Sequence, residues 1–269
     1  MFGFPSKKPR LGLDITSSEV RVAALSGSGL NVAVHSVERA ELPAGMVSEN
    51  YFSLNVTDPE GLSGVIKDVL QRMKSLTARR AGVSLPDALF RVQTLEFEEL
   101  PGKAEDRERL VRWRFEKSAA FDMSDTILRY QVLKRKDKGV TVLSCVAKRE
   151  VVAQYEMLLL GLDLEPWLIA PSSFHTLNFY FPHMAQKTSR FALASVGRTA
   201  FTAMVVEHGG PRFYRSKEIK AGGPGEVSDR LMREVHDSLH FYTHQDRSQQ
   251  SEIGNLFLTG DPVVLDPVA

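Results

Sequence analysis

With 269 residues, 43% of them hydrophobic and 25% charged, the chain has the composition of an ordinary globular protein and enough apolar material for two cores. Its 34 Lys+Arg against 33 Asp+Glu leave no charge excess to draw a nucleic acid, and no basic run is interleaved with aromatics. The single cysteine excludes an internal disulfide and suits a reducing compartment, and no apolar run approaches the roughly 20 residues that a bilayer span needs.

The leader Met1-Phe2-Gly3-Phe4-Pro5 is too short for a signal-peptide core. Its apolar residues with Lys7, Lys8 and Arg10 would suit an anionic lipid surface, but a frayed tail ahead of the first strand is the simpler expectation. Residues 10–42 then read as a meander: an apolar strand, the polar turn Thr16-Ser17-Ser18, an alternating strand, a Gly turn at Ser26-Gly27-Ser28-Gly29 and a third strand. Asp58-Pro59 starts a helix whose Leu62, Val65, Ile66, Val69, Leu70 and Met73 recur at helical spacing, with Asp58 as cap and Pro59 at the first position. A short strand, Gly82 to Leu85, ends before Pro86.

Residues 86–162 read as a compact β-α-β-β-α unit: a strand from Leu89 to Leu95, a helix from Ala104 to Ala119, a hairpin through Lys136-Asp137-Lys138-Gly139, and a helix from Arg149 ended by Gly161. Leu110, Val111, Trp113 and Phe115 are the expected apolar side of its first helix, and Cys145 reads as a small buried strand residue. Ser172, Ser173 and His175 follow Pro171 without an elbow motif or an orienting acid. They are expected to form a loop-to-helix cap in which a serine accepts backbone N–H bonds, rather than a nucleophile and base.

The second half of the chain repeats the first. Residues 13–22 align without a gap on 194–203, which pairs Asp14 with Ser195, and the Gly turn at 26–29 falls at the same offset from the turn at 207–210. Two related lobes follow, each with a hairpin turn pointing at the space between them. In twin hairpins of this kind small residues let backbone N–H groups approach phosphates, hydroxyls add donors, and a carboxylate in each strand holds a metal through water. The candidate nucleotide-binding residues are Asp14, Thr16, Ser17 and Ser18 in the first copy, Ser195, Gly197 and Thr199 in the second, and Gly260 at the end of the strand from Leu256. One carboxylate is missing, since Ser195 stands where it is needed. His236, His240 and His244 recur every fourth residue beside the apolar stripe Val227, Leu231, Val235, Leu239 and Tyr242. The first and third lie about 12 Å apart along a straight helix, so a polar stripe and no metal is expected.

Five segments in order, 12–21, 111–117, 130–133, 148–152 and 234–242, resemble the PilM family of type IV pilus assembly proteins over about residues 10–260. The resemblance implies a cytoplasmic α/β scaffold with an actin-like (ribonuclease H-like) two-lobe fold, an inserted α+β subdomain in the first lobe and a reduced second lobe. It divides the chain into a first-lobe core at 10–85, continued at about 163–188, an insertion at 86–162 and a second lobe at 189–269. It further implies binding of the short cytoplasmic N-terminal peptide of a PilN-like inner-membrane protein, in a groove between the first-lobe core and the insertion. Peripheral association with the cytoplasmic face of the inner membrane would run through that partner. Val83, Leu85, Arg91 and Val92 are the expected groove residues because they straddle the junction.

The departures are specific. Thr16 stands for a family glycine and Ser195 for a family aspartate; Gly222-Gly223 passes almost directly into a helix instead of a subdomain that roofs nucleotide; and Asp261-Pro262 interrupts a region that should touch adenosine. A cradle open on one side must compete with water for every phosphate oxygen. The expectation is therefore a non-enzymatic adaptor without a cofactor, the alternative being an actin-like ATP-binding protein with weak ATPase activity that uses Asp14 to orient magnesium. A type II secretion scaffold and a homo-oligomer both stay open.

Overall fold

A computed structural model describes residues 10–28, 31–73, 78–119, 122–135, 139–197, 200–207, 209–218, 224–245, 253–260 and 262–265. The leader, the turn at 136–138, Thr199, the Gly222-Gly223 pair and Asp261 lie outside the described residues, as does the side chain of Val227.

A meander of β1 (Leu11–Ile15), β2 (Glu19–Ser28) and β3 (Asn31–Glu41) leads through α1 (Pro59–Arg72) to β4 (Arg80–Leu85). There follow β5 (Phe90–Phe97), α2 (Ala104–Ala119), β6 (Thr126–Arg135), β7 (Val140–Lys148), α3 (Arg149–Gly161), β8 (Glu165–Pro171) and α4 (Ser172–Lys187). A second meander, β9 (Arg190–Val196), β10 (Ala200–Glu207) and β11 (Gly210–Glu218), precedes α5 (Pro224–Gln245), β12 (Leu256–Gly260) and the short α6 (Pro262–Leu265). Among the described residues the strands form three sheets, ordered β3-β2-β1-β4-β8, β11-β10-β9-β12 and β5-β7-β6.

The internal repeat is a structural one. β1 runs antiparallel to β2 and parallel to β4, as β9 does to β10 and β12. Asp14 lies opposite Arg21 and Ser84; Ser195 lies opposite Thr202 and Thr259, with the hairpin partner at the same chain offset in both copies.

Each sheet is closed by the helix that the apolar spacing requires. Asp58 accepts the Gly61 N–H at 2.9 Å and Pro59 sits in the first turn of α1, which satisfies one orphan donor and removes another. Its Leu62, Ile66 and Val69 then pack with Leu11, Leu13 and Ile15. Burying each such side chain contributes roughly 1.5–3 kcal/mol. Although contiguous with the insertion in sequence, α3 joins this same core through Val151, Val152, Tyr155, Leu158 and Leu159. The three-stranded sheet has a core of its own, where Val111 and Phe115 of α2 meet Leu95, Leu128, Val142 and Val146. Trp113 does not share it: its side chain is 48% exposed, and the Lys117 ammonium lies 4.4 Å from the ring, so a cation–π contact replaces the expected burial. Cys145 lies partly buried on β7, where burial pushes its thiol up to about 12.

On the second lobe, Leu231 and Val235 of α5 cover Ala194, Val196, Phe201 and Ala203. The buried Glu207 pairs with Arg190 at 2.6 Å and accepts the Tyr242 hydroxyl at 3.0 Å, which ties the end of α5 to the sheet. Gly260 closes the parallel β9–β12 pair at a φ of +142°, where an added Cβ would stand 1.9 Å from the Val196 carbonyl oxygen. Backbone cannot yield there as a side chain can. Gly260→Ala is therefore expected to cost about 2 kcal/mol or more in urea unfolding, whereas Gly254→Ala, with open space around it, should stay within about 0.5 kcal/mol.

Candidate functional site between the lobes

The two meanders face a cleft of about 1840 Å3. Asp14, Thr16, Ser17, Ser18, Ser195, Gly197 and Gly260 all line it, so the fold brings together the described members of the expected nucleotide set. Thr199 lies outside the described residues.

The turn chemistry is committed internally. Thr16 Oγ1 donates to the Glu19 carbonyl at 3.1 Å and accepts the Ser18 and Glu19 N–H groups at 3.3 and 3.0 Å. Ser17 donates both its N–H, at 3.2 Å, and its hydroxyl, at 2.7 Å, to one carboxylate oxygen of Glu49. In the second turn the Gly197 N–H closes onto the Ala200 carbonyl at 2.8 Å. Asp14 has Arg21 at 3.7 Å, and burial raises its pKa above the usual carboxylate value against the opposing pull of Ser84, Arg21 and His175.

A magnesium nucleotide, which the fold family implies, needs carboxylates on both sides of the cleft and turn donors free for phosphate. Ser195 supplies no carboxylate, and the Ser17 donors are spent on Glu49. The residues present do not fit that group.

A second carboxylate, unforeseen in the sequence, organises the cleft floor. Asp87 follows Pro86 in a single 3-10 turn between β4 and β5 and is buried. Its Oδ1 accepts the N–H and hydroxyl of Ser173 and, at 2.9 Å, the hydroxyl of Tyr214; its Oδ2 accepts the Ser172 hydroxyl at 3.2 Å. This corrects the expected cap. The N-cap of α4 is Pro171, which has no side-chain acceptor, so the helix end takes its acceptor from Asp87 while Ser172 and Ser173 act as donors. His175 Nε2 lies 3.2 Å from the Val83 carbonyl, and burial lowers its pKa. The serines and His175 thus serve different partners. An isolated carboxylate inside the apolar run Leu85-Pro86-Asp87-Ala88-Leu89-Phe90 was the one sequence signal for this site.

The expected groove residues are corrected too. Val83 and Leu85 are fully buried in β4, whose neighbours β1 and β8 flank it in the sheet, and Val92 packs in the same core. Only Arg91 reaches the junction surface, with its guanidinium 4.3 Å from the Tyr51 ring centroid and 5.7 Å from that of Phe52. Beside it Phe52 is 70% and Leu54 53% exposed. His236, His240 and His244 form an exposed stripe with neighbouring ring centroids at 5.9 and 3.9 Å. Among the described residues, no group of three His, Cys, Asp or Glu is arranged to hold a metal.

No protein-family model and no curated protein matches the chain. Solved structures do. A structure of the PilM-PilN type IV pilus biogenesis complex aligns with 97% of this chain and 85% of its own, at a TM-score of 0.75 and 18% identity. A Bacteroides thetaiotaomicron protein with an actin-like ATPase fold and unknown function covers 98% and 88%, at 0.54 and 16%. The cytoplasmic domain of EpsL, an inner-membrane component of the Vibrio cholerae type II secretion system, covers 93% and 82%, at 0.52 and 10%. This chain has a reduced actin-like fold. At such identities the likeness is one of architecture.

Two measurements follow from the site. A ligand at a hundred times its dissociation constant raises stability by about 2.7 kcal/mol, so millimolar Mg-ATP is expected to leave the melting temperature unchanged; a reproducible rise would place nucleotide in the cleft. For Asp87, burial sets a folded-state pKa above its ordinary 3.8. Its contribution is then full below 3.8 and is lost as pH rises through the folded value. Urea midpoints should show the parent losing ground to Asp87→Asn across that window. A parent that gains ground instead would mean that the hydroxyl donors and the α4 terminus outweigh burial.

Proposed function

We propose that the chain is a non-enzymatic scaffold of a type IV pilus or related secretion machine, which captures a short cytoplasmic peptide of an inner-membrane partner where the first lobe meets the insertion. Supporting this reading, the fold is that of a protein solved with PilN, and it also resembles the cytoplasmic domain of a secretion component. Among the described residues no helix is long and apolar enough to cross a membrane, in keeping with recruitment to the cytoplasmic face by a partner.

The observation that carries the reading is the surface at the junction. Phe52 and Leu54 stand in solvent on a loop braced by the Gln154 side chain, whose Nε2 donates to the Val56 carbonyl at 2.8 Å and whose Oε1 accepts the Asn55 and Val56 N–H groups, each at 3.0 Å. Exposed apolar groups on a hydrogen-bonded loop beside a stacked arginine are anchors against which an apolar peptide side chain can pack. A modest peptide affinity suffices when many partners share one membrane, because the array raises the effective concentration.

The nucleotide-binding alternative has less support, because Ser195 replaces one metal-holding group and Glu49 takes the first-turn donors. The test begins with a pull-down from inner-membrane extract and mass spectrometry, followed by titration of the cytoplasmic N-terminal peptide of the recovered partner. Phe52→Glu and Leu54→Glu should each weaken that peptide about tenfold or more at an unchanged melting temperature, since both side chains are exposed. Val83→Glu should instead unfold the lobe, by placing an unpaired carboxylate in the sheet core. Parent-like affinity in both exposed-site variants would remove this surface from the account.

A further inference from the structure

The loop between β3 and α1 touches the cleft at one end and the junction surface at the other. Its stem is closed by a bridge between Val47 and Val56 and by the Ser48 N–H on the Asn55 carbonyl at 2.8 Å. The Asn55 amide, buried inside, donates to the Asn50 carbonyl at 2.6 Å. Glu49 leaves this stem toward the β1–β2 turn, while Tyr51 and Phe52, two and three residues on, meet Arg91.

We infer that Glu49 is a tethered anion: its carboxylate is the resident ligand of the Ser17 turn, in the place where twin hairpins of this fold present donors to a phosphate, and it fixes the loop that carries Phe52 and Leu54. The turn's other N–H groups are already used, Thr16 on the Glu19 carbonyl at 3.0 Å and Ser18 and Glu19 on Thr16 Oγ1. Ser17 supplies the remaining pair, and both of its donors converge on one oxygen of Glu49. Hydrogen bonds to a charged acceptor are roughly twice as strong as neutral ones. A side chain held this close also competes at an effective concentration of roughly millimolar or above. A free phosphate-class anion therefore gains the Ser17 donors only when Glu49 leaves, and its departure removes the loop's tie to the cleft while the stem stays held by Gln154 and the Val47–Val56 bridge. Anion binding in the cleft and presentation of the junction surface oppose each other. The occupancy of the turn stands on its own; the consequence for capture rests on the docking reading above.

The test uses the full chain with inorganic pyrophosphate as the probe, read at the Ser17 amide by NMR, and hydrogen exchange across residues 45–57. In the parent, the Ser17 amide should not respond to pyrophosphate and residues 45–57 should exchange slowly. Glu49→Ala should let pyrophosphate shift the Ser17 amide saturably and speed exchange of 45–57 about tenfold. Glu49→Gln, which keeps an acceptor of the same shape without the charge, should lie between the two. Ser17→Ala removes the hydroxyl, the shorter of the two donors to Glu49, and leaves the N–H and the loop itself in place, so it should speed exchange of 45–57 by a smaller factor, a few fold, even if Glu49→Ala does not fold. The inference is overturned if the parent's Ser17 amide titrates as readily as that of the variant, if neither titrates, or if exchange of 45–57 is unchanged in both Glu49→Ala and Ser17→Ala. Should Phe52→Glu capture the partner peptide normally while these responses hold, the docking reading falls and the tethered anion remains.

Discussion

Asp87 is a point at which the three described sheets are tied together, alongside the direct contacts of β11 with β5 and β7 through Thr94, Thr141 and Arg212. It sits in the turn that leaves the five-stranded sheet for the insertion, caps the helix that carries the chain onward to the second lobe, and accepts the Tyr214 hydroxyl from β11 of the second-lobe sheet. A buried donor without an acceptor costs about 1–3 kcal/mol, so the fully buried Ser173 needs this carboxylate most, while the half-buried Ser172 and Tyr214 hydroxyls share it.

With the lobes held in this way, their internal symmetry makes the chemical difference between them easy to locate. Asp14 and Ser195 hold equivalent positions on equivalent strands. One carries a carboxylate close to an arginine and the other a hydroxyl. The first turn keeps its hydroxyls, but they close the hairpin and hold Glu49. The first turn's polar groups serve the protein itself, and Phe52 and Leu54 stand exposed at the other end of the Glu49 loop.

Local and repeated features were legible in the sequence. The gap-free match of the two meanders, the Asp58-Pro59 helix start and the apolar stripes of α1 and α5 all depend on residues near one another in the chain, and the structure repeats them. What stayed hidden depends on partners far away. Val83 and Leu85 look like a strand end at a junction until β8, some eighty residues on, covers the open side of β4. Ser172 and Ser173 look like caps until Asp87, again more than eighty residues away, supplies the acceptor. Trp113 reads as core by its hydrophobicity, whereas in the fold it is half exposed with the Lys117 cation, one turn along the helix, over its ring. No spacing rule links Glu49 to Ser17, since a carboxylate in a loop between a strand and a helix reads as ordinary solvent-facing polarity.

The central claim is the proposal that the partner is received at the junction of the first lobe and the insertion and makes no contact of its own in the inter-lobe cleft. Hydrogen exchange of the full chain with and without saturating partner peptide tests this directly. The account predicts new protection at residues 45–57 and 88–92, a change within 14–19 limited to the Ser17 amide that Glu49 accepts, and residues 195–197 unchanged. Protection appearing at 14–19 and 195–197 and absent from 45–57 would contradict it and place the binding site in the cleft.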